Sequence, residues 1–178
     1  MKTLLFSAAL LFGSTVFGGE AASLTFDNET YVLASVTVSP DGSVTNDYVK
    51  EGETLDTWTT LLTVRHLPQA ETINHAINPW LQSVRTQLAK KWSAARSPLP
   101  ASDADVIVEA WVNTGSLQVE ATLYRFASLK GVPGVMAYRF VERLDGSDPG
   151  AKDAYAAAKH RRSEELSILK LAAVREKG

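Results

Sequence analysis

The histidines are the residues best suited to proton transfer or metal binding, and the chain has three: His66, His75 and His160. No two of them stand at the i, i+4 spacing by which a helix presents two imidazoles to one metal ion. A site assembled from distant positions would draw on His66, His75 and Glu71. We expect instead that His66 ends a strand and His75 flanks a helix, and we predict no metal and no cofactor.

Three acidic residues, Glu51, Glu53 and Asp56, crowd a glycine-centred turn just before Trp58. Such carboxylates could bind Ca²⁺ or act as an acid–base pair. Their spacing lacks the alternating aspartates and glycine of a calcium loop, so we predict a solvated turn. Motifs of serine hydrolases, phosphate-binding loops and dinucleotide-binding loops do not occur in the sequence.

Glu109 and Glu120 lie on either side of a predicted hairpin turn that begins at Asn113. Two carboxylates in neighbouring strands could form a glycosidase pair. The nearby cations Arg125 and Arg139 make cross-strand ion pairs the better interpretation.

Four aromatic residues, Trp111, Tyr124, Phe126 and Tyr138, fall in the second half of the chain, and we predict that they share the less aliphatic face of a sheet. Aromatic side chains that no other element covers form a pocket or a partner surface. We therefore predict that these four bind a ligand or partner, whereas a helix packed over them would make them core.

The elements that position these residues follow from hydrophobic periodicity. Trp58, Thr60, Leu62 and Val64 alternate on one face of the clearest early strand, and Trp58 and Trp80 are expected in the core. Further strands are predicted at the following ranges: 31–39, 44–49, 105–113, 117–127 and 135–144.

Two helices are predicted. The first carries an apolar stripe from Ile73 to Trp92, and Asn78-Pro79 is typical of a cap followed by the first helical residue. The regular helix could therefore begin at Asn78, preceded by a turn or short helix. Asp148-Pro149 repeats this pattern at the start of the second helix, and strong helix formers continue over residues 152–177.

The elements give the order βββα-βββα, which favours an α+β fold with an antiparallel sheet of about six strands and two helices on one or both faces. This order resembles the Mog1/PsbP-like fold over most of the mature chain. The segment Gly52-Glu-Thr-Leu-Asp-Thr-Trp58 is similar to one found in small exported bacterial proteins of uncharacterised function. Neither resemblance implies particular site residues.

The amino terminus has the pattern of a cleavable export signal: Met1-Lys2, then an apolar run from Leu4 to Phe17, then small residues. Cleavage after Gly18 and cleavage after Ala21 both fit, so we assign residues 1–21 to the signal and 22–178 to one domain. The apolar run is shorter than the roughly 20 residues that span a bilayer, and no second run is long enough, so we expect no stable membrane insertion after cleavage.

The chain has no cysteine, which excludes disulfides, thiol nucleophiles and thiolate metal sites and favours a bacterial periplasmic or secreted protein. A net charge of −2 argues against nucleic acid as a partner.

We therefore predict an exported, non-enzymatic binding or accessory domain that recognises an unknown protein or a small apolar ligand. A hydrolase or other enzyme with a dispersed site, for which His66, Glu51 and Glu53 would have to converge, is one alternative. A structural or assembly subunit is another.

Overall fold

The computed structural model describes residues 23–87, 95–96, 106–114, 117–173 and 175. These residues form one antiparallel sheet and two helices. The strands are β1 (Ser23–Phe26), β2 (Glu29–Val38), β3 (Val44–Lys50), β4 (Thr60–Leu67), β5 (Ala95–Arg96), β6 (Val106–Asn113), β7 (Gln118–Ala127) and β8 (Val135–Asp145). The helices are α1 (Ile73–Gln87) and α2 (Pro149–Ile168).

The strand order across the sheet is β1-β2-β3-β4-β8-β7-β6-β5, and each neighbouring pair is antiparallel. The α+β class, the antiparallel sheet and the two helices are thus confirmed. The sheet has eight strands rather than about six, because β1 and β5 add a short strand at each edge. The six predicted strands are the six between these edges.

The helix α1 begins at Ile73, so the prediction that the regular helix starts at Asn78-Pro79 is wrong. Pro79 lies inside the helix instead. Proline cannot donate a backbone hydrogen bond, so the carbonyl of His75 receives none from position i+4. The apolar stripe of Ile73, Ile77 and Leu81 outweighs this defect by packing on the sheet. The predicted stripe positions Leu88 and Trp92 lie outside the described residues.

The helix α2 begins as predicted, with Asp148 as its N-cap and Pro149 as its first residue. The Asp148 side chain accepts a hydrogen bond from the Gly150 amide at 2.8 Å. The helix ends at Ile168, nine residues before the predicted limit of 177. Its end is held by the guanidinium of Arg125, whose Nη1 donates to the carbonyls of Leu166 and Leu169 at 3.1 and 2.6 Å.

The two helices pack on opposite faces of the sheet, and β4 is buried on both faces from Thr60 to Val64. We call these the α1 face, which carries Phe126 and Ala137, and the α2 face, which carries Leu123 and Phe140. The main core lies between the α2 face and α2, with these buried members: Phe26, Tyr31, Leu33, Tyr48, Leu62, Val64, Leu123, Ala127, Met136, Tyr138, Phe140 and Leu166.

The α1 face is covered in two separate places. At one end, α1 packs on Phe126, Val135 and Ala137. At the other end, Trp58 packs on Leu61 and Val141. Trp58 is therefore a core residue as expected, but it lies before β4 and shares a face with Leu61 rather than with Leu62.

The predicted export signal, residues 1–21, lies outside the described residues. Among the residues that the structure describes, no helix combines the length and the apolar character that a membrane crossing requires.

Candidate functional site

The four predicted site residues do not share a face of the sheet. Trp111 of β6 is the register partner of Ala121, whereas Tyr124 is the partner of Val108. Directly opposed residues point to the same side of a sheet, and successive residues alternate, so Trp111 and Tyr124 lie on opposite faces. The prediction of one aromatic face is wrong because it aligned the aliphatic faces of β6 and β7, which is one residue away from the actual register.

Trp111 and Tyr138 belong to the α2 face, where Trp111 is partly buried and Tyr138 is fully buried. The Trp111 ring meets Tyr155 of α2 edge-on, with ring centroids 4.9 Å apart, and its Nε1 donates to Glu109 at 3.0 Å. The Tyr138 side chain is fully buried, and its hydroxyl donates to the carbonyl of Leu171 at 2.9 Å. Trp111 therefore packs against α2, and Tyr138 packs within the main core.

Tyr124 and Phe126 lie on the α1 face, where Trp80 of α1 joins them. The Trp80 ring is 4.6 Å from the Tyr124 ring and 6.4 Å from the Phe126 ring between centroids. Tyr124 and Phe126 stack nearly parallel at 13°. Tyr124 and Trp80 are only partly buried, so this aromatic wall keeps an open side.

The aromatic wall borders a cleft of about 740 Å³ between α1 and the middle of the sheet. The α1 face of the sheet forms its floor, and α1 and the turn after β2 form its rim. The residues that line the cleft include the following: Asp41, Asp47, Thr63, Arg65, His75, Pro79, Trp80, Tyr124, Phe126 and Arg139. A cavity of this size is in the range that small-molecule sites occupy.

Arg139 is one of two arginines on the floor of the cleft, the other being Arg65. Arg139 lies between Thr63 of β4 and Tyr124 of β7 in the register, and its guanidinium carbon is 5.7 Å from the centre of the Tyr124 ring. Its ion pair with Glu120 is long, 3.9 Å from Nη2 to Oε2. Its Nε is buried and has no hydrogen-bond partner among the described residues. The guanidinium is therefore poorly satisfied by the protein itself.

Glu120 is held more closely by a second arginine. Arg143 Nε lies 3.3 Å from Glu120 Oε1, and Arg143 also donates to the Trp58 carbonyl at 3.3 Å and stacks 3.5 Å from the Trp58 ring centre. One carboxylate thus serves two guanidinium groups. Arg143 lines a second cavity of about 640 Å³ near Trp58, not the cleft beside α1.

The acidic residues of the cleft have partners of their own. Asp47 accepts a hydrogen bond from the Thr63 hydroxyl at 2.7 Å. Asp41 accepts from the Ser43 amide at 2.9 Å, and this backbone hydrogen bond holds the pKa of Asp41 below its ordinary value. The cleft therefore combines satisfied carboxylates with an under-satisfied guanidinium.

The histidine and acidic candidates do not assemble into a site. Among the residues described, no three histidine, aspartate or glutamate side chains come together as metal ligands. His66 Nε2 contacts the Pro133 carbonyl at 2.7 Å, and His75 lies exposed in α1. Glu53 accepts from the amide and hydroxyl of Thr59, at 3.1 and 2.6 Å, and so organises the turn before β4.

Glu53 and His66 are consequently bound at opposite ends of β4, roughly 23 Å apart at the rise of a strand. The hypothesis that His66, Glu51 and Glu53 converge in a catalytic cleft is therefore wrong. Glu109 and Glu120 also separate: Glu109 lies on the α2 face and accepts from Lys159 Nζ at 3.0 Å. The predicted pair of Glu120 with Arg139 is confirmed.

Sequence reasoning missed the cleft itself, although several of its residues carried a signal. Pro79 within the apolar stripe of α1 and the isolated Arg139 in a strand of mostly apolar residues were both visible. The β7–β8 register places Arg139 beside Tyr124, and Tyr124 contacts Trp80, the neighbour of Pro79 in α1.

A protein-family model matches residues 19–174, which include every residue of the cleft. No curated protein matches the chain. Because the matching region is far more than half of the sequence, the chain belongs to this uncharacterised family.

Proposed function

We propose that this chain is an exported, non-enzymatic binding domain whose cleft beside α1 takes a small, flat, apolar molecule. The observation that carries the proposal is the aromatic wall of Trp80, Tyr124 and Phe126 along a cleft of about 740 Å³. Aromatic rings that are packed on one side and open on the other stack on planar ligands at little conformational cost.

The site of this proposal is only half of the aromatic set predicted from the sequence. Tyr124 remains a candidate for ligand contact, with the buried Phe126 stacked behind it, whereas Trp111 and Tyr138 support the domain from the α2 face. Trp80 takes their place in the proposed site.

The proposal includes export to the periplasm or the exterior of a bacterial cell, supported by the signal-like residues 1–21 and the absence of cysteine in the sequence. It also includes a relationship to the Mog1/PsbP-like fold, supported by a helix after the early strands and a second helix after the later meander. A fold supports many activities, so the function is argued from the cleft alone.

The test uses 2-naphthamide, a neutral planar probe, with the signal-free protein in isothermal titration calorimetry. We expect saturable binding, weakened about tenfold by Trp80→Ala, because losing one stacked aromatic contact costs on the order of 1.4 kcal/mol. The matched control is Leu117→Ala, which removes an exposed apolar side chain outside the cleft and leaves affinity unchanged. Circular dichroism and thermal melting confirm that each variant is folded.

Absence of saturable 2-naphthamide binding to the wild-type protein, or equal affinity of the wild type and the Trp80→Ala variant, would overturn the proposal. Native mass spectrometry of the protein purified from its producing cell provides an independent reading. An additional mass that is lost on denaturation would identify the natural occupant of the cleft.

A further inference from the structure

We infer that the ligand of this cleft carries a carboxylate and that Arg139 receives it, an inference that rests on the proposed function above. The ligand class is then a small planar acid: a flat apolar body against the aromatic wall and an acidic group at the floor. Nothing in the apolar character of the wall requires the acid; the requirement comes from the charges.

The Arg139 guanidinium is incompletely paired. Its one ion pair among the described residues is the 3.9 Å contact with Glu120, and its Nε has no hydrogen-bond partner there. Buried polar groups of folded proteins are almost always paired, and an unpaired donor on a charged group is especially costly. A missing partner of Arg139 must be an acceptor.

Glu120 does not fully supply the acceptor that Arg139 requires. Its carboxylate is drawn to Arg143, at 3.3 Å against 3.9 Å for Arg139. Arg143 has a further acceptor in the Trp58 carbonyl and a stacked ring in Trp58 itself. The group of three charges therefore carries an excess positive charge, and Arg139 is its less satisfied member.

The carboxylates of Asp47 and Asp41 in the cleft already have hydrogen-bond donors. A ligand amine would find Asp47 already bonded to Thr63 and Asp41 already bonded to Ser43. Asp47 lies on β3, two strands from Arg139, which is about 10 Å at the spacing of neighbouring strands. An acidic group at Arg139 is thus well separated from Asp47, and the carboxylate closest to it is that of Glu120, which lies outside the cleft lining.

The arrangement of donors on Arg139 also suits a carboxylate. Carboxylates pair best with arginine through two parallel hydrogen bonds. A carboxylate placed beside Arg139 would accept from Nε and Nη2 together, the donors that the protein leaves unpaired or loosely paired. The Nε is covered in the structure, so the guanidinium must turn to present it. The side chain is 31% exposed, which leaves the charged end room for that rotation.

The position of Arg139 also indicates that the acidic group and the flat apolar body belong to one ligand molecule. The guanidinium lies against Tyr124, and Tyr124 contacts Trp80. A ligand stacked on this wall has its edge next to the guanidinium. A carboxylate attached directly to an aromatic ring therefore fits better than one on a long flexible chain.

The test compares 2-naphthoate with 2-naphthamide, two probes of nearly equal shape of which only the first is charged. We expect 2-naphthoate to bind the wild-type protein about tenfold more tightly than 2-naphthamide. Arg139→Gln should remove this preference by weakening 2-naphthoate about tenfold while changing 2-naphthamide less than twofold. Lys130→Gln, which removes one exposed positive charge outside the cleft, is the control and should preserve the preference.

Arg65→Gln separates the two cations of the cleft. Arg65 lies exposed on β4 at the floor of the cleft. Its loss should weaken the binding of 2-naphthoate by no more than about twofold, because solvent and salt screen its attraction for the carboxylate. Raising the salt concentration provides a measurement that needs no variant. The affinity for 2-naphthoate should fall with salt, and the affinity for 2-naphthamide should not.

The outcomes distinguish this inference from the proposed function. If 2-naphthamide binds in a Trp80-dependent manner but 2-naphthoate binds no more tightly, the cleft is a ligand site and the inference about the acid is overturned. A preference for 2-naphthoate that survives Arg139→Gln overturns it as well. If neither probe binds, the proposed function fails and this inference fails with it.

Discussion

The carboxylate of Asp27 accepts hydrogen bonds from Arg161 Nε at 2.8 Å and Arg162 Nε at 2.6 Å, and both arginines belong to α2. The amide of Asp27 donates to Glu165 at 2.6 Å. Asp27 and Asn28 form the two-residue turn between β1 and β2, both with positive φ, 53° and 62°. This turn suits the twist of a hairpin, and aspartate and asparagine tolerate it better than most residues.

Asp27 should make the stability of the fold depend on pH in acid. Burial acts to raise its pKa, but the hydrogen bonds and charges of Arg162 and Arg161 outweigh burial and hold the pKa below its ordinary value of 3.8. A carboxyl group whose pKa is lower in the folded state contributes stability above its unfolded pKa. That contribution disappears as the pH falls through the folded pKa.

We therefore expect Asp27→Asn to lower the free energy of unfolding at pH 7 by about 2 kcal/mol, the scale of a charge-assisted hydrogen bond. Urea titrations at pH 7 and pH 3 should show a smaller difference between the variant and the wild type at pH 3. Asp153→Asn, at an exposed position of α2, is the control and should have little effect at either pH. A difference that is the same at both pH values would contradict the account.

At the scale of elements, α1 tolerates a proline that interrupts its hydrogen bonds. Pro79 lies seven positions into the helix and also lines the cleft. Its ring excludes the hydrogen bond that the His75 carbonyl would otherwise accept, and an internal proline costs a helix about 3 kcal/mol. Pro79 therefore weakens α1 at the point where the helix borders the cleft.

Pro79→Ala should consequently raise the free energy of unfolding, by about 2 kcal/mol if the helix relaxes to regular geometry. Thermal and chemical denaturation measure the change. Asn78→Ala, at the exposed neighbouring position, improves helix propensity without restoring a hydrogen bond, and should add about 0.5 kcal/mol. Equal effects of the two substitutions would show that the missing hydrogen bond carries no cost.

The elements were largely predictable from the sequence, and their register was not. Alternation located the six inner strands, and Asp148-Pro149 located the start of α2. The short strand β1 was missed although Asp27-Asn28 is a turn signal, because four residues are too few for a periodic pattern. Register is fixed by packing across strands, and an error of one residue moved Trp111 to the wrong face.

At the scale of the whole molecule, the two faces of the sheet differ in how completely they are closed. The α2 face is sealed by α2 and by the segment Leu169–Ala173, which packs on the main core. Arg125 and Tyr138 hold this segment by hydrogen bonds to the carbonyls of Leu169 and Leu171. The α1 face is covered at two ends, and the cleft lies between them.

Removing residues 169–178 should therefore destabilise the domain by about 3 kcal/mol, since Arg125 and Tyr138 lose acceptors and two partly buried leucines lose their contacts. The control ends the chain after Ala173 and retains all of these contacts. Chemical denaturation of both truncated proteins measures the effect. Equal stability of the two would show that the segment Leu169–Ala173 does not hold the α2 face together.

The cleft exists only when the strands and α1 are assembled, which is why it could not be predicted from the sequence. It combines residues of β3, β4, β7 and β8 with residues of α1. Each side chain is unremarkable in its own segment: an arginine in a strand, a tryptophan in a helix stripe. Only the strand order, which sets β4 beside β8, brings Thr63, Arg139 and Tyr124 into one row.

The contact between Asp27 and Arg161 joins residues 134 positions apart in the chain. A ribosome makes β1 first and α2 last among the described elements, so the nascent chain has no partner for the Asp27 carboxylate until synthesis is nearly complete. The first hairpin stays without its ionic anchor throughout elongation. Closure of this hairpin onto the α2 face is therefore a late step, completed only when α2 has been made.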